Sequence, residues 1–167
     1  MSILEPLRLA CLERFLAVLR RLGRGRGRRA DLPDHLRIGV EGELAAYFHL
    51  RRKGYRVVAR RWTTSSQPGD LDLIAWRGPL LCFIEVKTRT AHDAIPAEGV
   101  VDADKRATLR RLARQYMRKL PGEIPPAVRF DILSVYLIPG RAQEFQHFEG
   151  AFGWSERSPG DRWGDRG

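Results

Sequence analysis

Residues 69–89 read GDLDLIAWRGPLLCFIEVKTR, two short apolar segments separated by Gly78-Pro79. Their length and their alternation at a period of two are typical of strands, and the Gly-Pro pair predicts a tight turn between them. The second segment is apolar on both faces, as in a central strand that is covered on both sides. We therefore predict a hairpin of strands at 70–76 and 80–88 in the middle of a sheet.

The flanking sequence predicts helices and further strands around this hairpin. Pro33 and Asp34 predict a helix start, Gly54 a helix stop, and Asp102 a helix N-cap. The predicted elements are a helix at 35–53, a strand at 55–62, a polar loop at 63–69, a helix from Asp102 to about residue 120, a strand at 128–138 and a weaker strand at 144–148. The order αβββαβ predicts an α/β domain at 35–152, with a mixed central sheet flanked by helices.

Segments on either side of this domain differ from it in composition. Residues 3–22 have the apolar spacing of an amphipathic helix, and GRGRGRR at 23–29 predicts a flexible basic linker, so residues 1–34 form an N-terminal extension. Residues 153–167 are rich in Gly, Ser, Asp and Arg, which predicts a disordered tail. A chain of 167 residues suits one domain with such tails.

Charge and cysteine content narrow the class of protein. The net charge is +10, of which residues 1–30 contribute +6 through eight arginines and two acids, and such a balance favours nucleic acid over a membrane surface as partner. Cys11 and Cys82 form no C-x-x-C pair, which argues against a disulfide scaffold or a zinc site and favours a reducing cytoplasm. No apolar run is long enough for a membrane span, and the N-terminus does not resemble a signal peptide.

The hairpin carries charged residues where an apolar strand should have none. Residues two apart in a strand share a face, so Glu85 and Lys87 point the same way. A four-residue turn pairs Trp76 with Leu81, and the same register places Asp72 opposite Glu85. Facing carboxylates destabilise a sheet unless a positive charge lies between them. We predict a divalent cation at Asp72 and Glu85, beside Lys87.

Each of the two predicted helices carries a charged residue on its apolar stripe. A helical wheel of the first helix places Glu43 inside the apolar stripe defined by Leu36, Val40, Leu44, Tyr47 and Leu50. In the second helix, Lys105 lies on the stripe formed by Leu109, Leu112, Ala113, Tyr116, Met117 and Leu120. Its opposite face carries Arg110, Arg111, Arg114 and Arg118.

Carboxylates and a lysine around one site suit the hydrolysis of phosphodiester bonds. Carboxylate oxygens favour Mg²⁺ or Mn²⁺, which lowers the pKa of bound water and stabilises the attacking and leaving oxygens. A lysine beside the metal orients or deprotonates the water and offsets charge in the transition state. An isolated E-x-K would more often be a structural ion pair, but Asp72 on the partner strand and Glu43 on the packed helix favour a site.

These motifs resemble the PD-(D/E)XK superfamily of restriction-endonuclease-like proteins, and most closely its YraN-like family. The matching segments run in order through residues 36–152 and are Gly42-Glu43, Lys53-Gly54-Tyr55, Gly69 to Ile74, Phe83 to Arg89, Lys105 and Arg129-Phe130-Asp131, with a weaker match from His147 to Phe152. The chain has Gly69-Asp70 where the family usually has Gly-Glu, and the basic extension lies outside the family pattern.

The resemblance implies a restriction-endonuclease-like core similar to that of archaeal Holliday junction resolvases. Carried over by position, it implies Glu43, Asp72, Glu85 and Lys87 as catalytic residues, with the three acids as ligands of Mg²⁺ or Mn²⁺. The predicted nucleic-acid contacts are Arg89, Lys105, Arg110 and Arg114. The function expected is a metal-dependent endonuclease acting on DNA, with branched DNA and a homodimer as further implications. The alternative is a non-catalytic nucleic-acid-binding module of the same fold.

Overall fold

The computed structural model describes residues 33–92, 101–122 and 124–155. The predicted N-terminal helix at 3–22, the basic linker, Cys11 and residues 156–167 of the predicted tail lie outside these residues. In the part that is described, neither helix is long and apolar enough to cross a bilayer.

The helices and strands follow one another in the predicted order. The elements are α1 (Asp34–Arg52), β1 (Arg56–Thr64), β2 (Gln67–Arg77), β3 (Leu80–Arg89), α2 (Ala103–Met117), β4 (Val128–Tyr136) and β5 (Glu144–Phe152). The strands form one sheet in the order β1-β2-β3-β4-β5, antiparallel except for the parallel pair β3 and β4. The predicted α/β class with a mixed central sheet is confirmed, and it is consistent with a restriction-endonuclease-like core.

The two helices pack against different apolar clusters. Ala45, Ala46 and Leu50 of α1 pack with one cluster of sheet residues, whereas Leu109 and Leu112 of α2 pack with another. Because neighbouring strand residues face opposite sides of the sheet, β3 supplies both clusters. The result is three layers, α1 on one side of the sheet and α2 on the other. The predicted stripe of α2 and its N-cap are confirmed, with Asp102 Oδ1 accepting from the Lys105 N–H at 2.8 Å.

The first connection between strands differs from the prediction. Residues 63–69 were expected to form a polar loop, but β1 continues to Thr64, β2 begins at Gln67, and these two residues pair. The polar residues fit a hairpin because β1 is an edge strand whose side chains reach solvent. The last strand is also longer than expected, because β5 extends to Phe152.

The buried face of α1 is rotated from the predicted stripe. Leu36 is 49% exposed, while Gly42, Ala45, Ala46, Phe48 and Leu50 are buried. A Cβ atom on Gly42 would overlap the Thr88 side chain of β3. The small residues therefore let α1 approach the sheet more closely than a stripe of leucines would allow.

Candidate functional site

The sheet splits into a fork between β2 and β3. Pairing between these strands runs from Arg77–Leu80 through the predicted Trp76–Leu81 pair and ends at Leu73–Ile84. Beyond that point β2 stays paired with β1 and β3 stays paired with β4. The Asp72 carboxylate fills the gap, because its Oδ2 accepts from the Val86 N–H at 2.7 Å.

A cavity of about 590 Å³ opens at this fork. All four predicted catalytic residues, Glu43, Asp72, Glu85 and Lys87, line it. The strands supply three of them and α1 supplies Glu43, so the structure gathers residues that lie far apart in the sequence. Their roles remain predictions, whereas their convergence is a property of the fold.

Glu85 lies at the centre of the charged cluster. Its side chain is 3% exposed, and its Oε1 atom lies 2.9 Å from Lys87 Nζ and 3.2 Å from Lys105 Nζ. Its other oxygen, Oε2, is buried without a hydrogen-bond partner. Both lysines therefore crowd one oxygen and leave the second oxygen unsatisfied, an arrangement that is costly in a folded protein unless something else binds there.

Asp72 is hard to ionise in this surrounding. Burial and the charge of Glu85 raise its pKa from 3.8 to about 7, although the Val86 N–H and Lys105 act in the opposite direction. A carboxyl with such a pKa exchanges its proton near neutral pH. Perturbation by burial and a like charge is typical of functional sites, but also occurs in structural networks.

Glu43 faces the fork from α1. Its side chain is 15% exposed, and burial raises its pKa despite the nearby Arg61. Arg61 Nε lies 3.7 Å from Glu43 Oε2 and 3.9 Å from Asp70 Oδ2, so one guanidinium bridges acids from α1 and β2. Arg61 has a positive φ of 46°, which is rare for a residue with a side chain and costs about 1 kcal/mol. No sequence pattern marks Arg61 as part of this cluster.

The predicted nucleic-acid contacts occupy different surroundings. Arg89 lines the cavity, and Lys105 belongs to the charged cluster around Glu85. Arg114 is exposed with its guanidinium over the Trp154 ring, 5.1 Å from the centroid. Arg110, predicted on the exposed face of α2, is instead 8% exposed; its Nε donates to Gly153 O at 2.8 Å. The predicted position of Arg110 is wrong because its guanidinium packs over Phe152 of β5.

A second polar cluster surrounds Asp131, which belongs to the matching segment Arg129-Phe130-Asp131. The Asp131 carboxylate is fully buried and accepts from Arg129 Nε at 2.8 Å, Arg129 Nη2 at 2.9 Å and the Gly150 N–H at 2.9 Å. His147 Nε2 lies 3.0 Å from Asp131 Oδ2. These bonds hold the pKa of Asp131 below its usual value, against the effect of burial. The cluster ties β5 to β4.

The donors at the fork suit a hard divalent cation, but the lysines occupy the space around them. Carboxylate oxygens are the ligands that Mg²⁺ and Mn²⁺ prefer, and Glu43 Oε2 and Glu85 Oε2 are both buried without hydrogen-bond partners. As the side chains are oriented, no three His, Cys, Asp or Glu residues of the described ranges lie close enough to enclose an ion. Binding of a cation therefore requires the lysines and carboxylates to move.

Fold and cluster together define an α/β protein with buried acids and lysines in a fork of its sheet. The sequence pattern described as "Uncharacterised protein family UPF0102" matches residues 42–135, a range that includes the whole cluster at the fork. The chain belongs to the UPF0102 family, which confirms the predicted YraN-like membership.

Three related proteins carry the same family name. A UPF0102 protein of Koribacter versatilis is 51% identical over 107 residues, 64% of this chain and 73% of the relative. One of Solibacter usitatus is 46% identical over 111 residues, 66% of this chain and 81% of the relative. One of Porphyromonas gingivalis is 37% identical over 122 residues, 72% of this chain and 87% of the relative.

Proposed function

We propose that this protein is a metal-dependent endonuclease of the PD-(D/E)XK type that hydrolyses phosphodiester bonds in DNA. The observation that carries the proposal is the arrangement of Asp72, Glu85 and Lys87 at the end of a split hairpin, with Glu43 facing them. Buried carboxylates that repel one another are costly unless a cation offsets their charge, and both Glu43 Oε2 and Glu85 Oε2 are buried without hydrogen-bond partners. A nuclease uses such carboxylates to bind a cation.

Each residue of the cluster has a distinct task in this proposal. Bound Mg²⁺ or Mn²⁺ would activate water and neutralise charge on the phosphate, with Asp72, Glu85 and Glu43 as the residues that hold it. Lys87 keeps a positive charge at the mouth of the fork, where its 28% exposed side chain can orient water or contact phosphate. The Val86 N–H fixes the Asp72 carboxylate and so sets its direction.

Positive charge elsewhere on the chain supports nucleic acid as the substrate. The net charge of +10 favours a polyanion, and exposed arginines lie on α2 at Arg111 and Arg114 and just after it at Arg118. Phosphate contacts of this kind hold DNA without reading its sequence. A structure-selective nuclease, acting for example on branched DNA, needs no sequence readout.

Cleavage of labelled DNA tests the proposal. Linear duplex, single-stranded and four-way-junction substrates are incubated with the full chain and Mg²⁺, Mn²⁺ or EDTA. We expect cleavage that requires a divalent cation. It should fall at least about 100-fold in Glu85→Gln, which removes a residue that would hold the cation, and in Lys87→Met, which removes a positive charge beside the phosphate. Glu41→Gln, on the exposed side of α1, is the matched control and should cleave like the wild type.

Two other outcomes would argue against an enzyme. Binding of DNA without cleavage under every condition would favour the non-catalytic binding module. Cleavage that survives in Glu85→Gln would come from a contaminant or from another site.

A further inference from the structure

Lys105 reaches the fork from the side of the sheet opposite to Glu43. It lies in the first turn of α2, the helix that packs on the second apolar cluster. Its backbone N–H donates to Asp102 Oδ1 at 2.8 Å, which fixes the start of the helix. From there the side chain extends to Glu85 Oε1, 3.2 Å from Nζ.

Even without Lys105, Glu85 has a counter-ion, because Lys87 lies on the same strand. Lys87 Nζ lies 2.9 Å from the same oxygen, so two ammonium groups share Oε1 while Oε2 has no hydrogen-bond partner. Glu85 therefore keeps one counter-ion, Lys87, when Lys105 leaves.

We propose that Lys105 is a positioning residue that takes the place of the divalent cation until one binds, and that is then displaced toward the phosphate of the substrate. The inference rests on the proposed function, because it assumes that a cation binds at Asp72 and Glu85. A divalent cation there repels both ammonium groups. Lys105 is the one that moves, since it comes from a different element than Glu85, makes the longer contact and has a flexible stem.

Displacement makes Lys105 a competitor of the metal, and removing a competitor strengthens binding. We expect Lys105→Met to bind Mg²⁺ about tenfold more tightly than the wild type, the order expected from loss of a unit charge near a divalent ion in a half-buried site. In EDTA the same variant should melt at a lower temperature, because the acids lose a counter-ion. A structural lysine would lower the melting temperature without improving affinity for Mg²⁺.

Calorimetric titration of Mg²⁺ into the full metal-free chain tests the proposal. The matched control is Arg106→Met, which removes the same charge one residue along α2, where the guanidinium donates to Val101 O at 2.7 Å. Loss of a positive charge that does not contact Glu85 should change the affinity for Mg²⁺ by less than about threefold. Lys105→Gln is the second variant, in case Lys105→Met does not fold.

The results separate this inference from the proposed function. Tighter binding in Lys105→Met than in both the wild type and Arg106→Met supports the competition. If the wild type binds Mg²⁺ and Lys105→Met binds no more tightly than Arg106→Met, the competition is overturned and the nuclease proposal stands. If none of the proteins binds Mg²⁺ or Mn²⁺ at millimolar concentration, the proposed metal site fails, and the role of Lys105 fails with it.

Discussion

Replacing Asp72 with asparagine should stabilise the metal-free protein. The pKa of the Asp72 carboxyl rises from 3.8 to about 7 through burial and the charge of Glu85, so ionisation of this group opposes folding. Each pKa unit is worth about 1.4 kcal/mol, which gives about 4 kcal/mol as an upper bound. Because Asp72 keeps part of its solvation and asparagine can still accept from the Val86 N–H, we expect about 2 kcal/mol.

Because the pKa of Asp72 is raised in the folded protein, the difference in unfolding free energy between wild type and variant depends on pH. Below about pH 4, Asp72 is protonated in both the folded and the unfolded chain, so the substitution should change little. Between about pH 4 and pH 7 the unfolded chain ionises first, and the wild type loses stability relative to the variant. Above about pH 7 the variant should exceed the wild type in free energy of unfolding by the full expected amount.

Urea unfolding in EDTA, followed by tryptophan fluorescence at pH 4.5 and pH 8, measures this difference. Glu41→Gln is the control for loss of an acid from an exposed position, and should change the free energy of unfolding by less than about 0.5 kcal/mol. The reasoning is refuted if Asp72→Asn is less stable than the wild type at pH 8, or if its advantage is the same at both pH values. Millimolar Mg²⁺ should then stabilise the wild type more than the variant.

Two further predictions concern other parts of the chain. Asp131→Asn should lower the free energy of unfolding by about 3 kcal/mol in urea titrations, because Arg129 loses its buried counter-ion. The loss of stability should shrink below about pH 4, where the wild-type carboxyl becomes protonated. Glu149→Gln, which removes an exposed partner of Arg129, should cost less than about 1 kcal/mol; equal losses would contradict the argument. Deletion of residues 1–30 should weaken DNA binding and flatten its salt dependence by about 0.9 for each phosphate that the arginines no longer neutralise, as fluorescence anisotropy at several salt concentrations would show. An unchanged slope with a lower melting temperature would mean that the segment packs on the domain.

Strand periodicity and turn length were sufficient to predict the hairpin. Counting from Gly78-Pro79 gave the Trp76–Leu81 pair, and alternation gave the shared side of Glu85 and Lys87. The stripe of α2 was equally predictable, because its leucines bury against one face of the sheet. Such patterns depend on neighbours in the sequence, which is why they are visible there.

The position of α1 depends on a contact that sequence periodicity does not contain. A helical wheel gives leucine more weight than glycine or alanine, and therefore favoured a stripe through Leu36. The helix instead buries Gly42, Ala45 and Ala46, because these residues allow its backbone to approach Thr88. Glu43 still faces the fork, next to the residue of closest approach. Likewise, the contacts of Lys105 with Glu85 and of Arg61 with Glu43 join residues of different elements, so they depend on how the helices pack on the sheet.

Two buried carboxylates, on adjacent strands, differ in how their charges are balanced. Asp131 and Glu85 both interrupt apolar strands, so the sequence pattern is the same for each. Asp131 has hydrogen-bond partners on both oxygens and a lowered pKa, and so holds the sheet together. Glu85 crowds its partners onto one oxygen, leaves the other without a hydrogen-bond partner, and helps to raise the pKa of Asp72. The first arrangement stabilises the fold, whereas the second weakens it, and the cation that we propose at the fork would offset this cost.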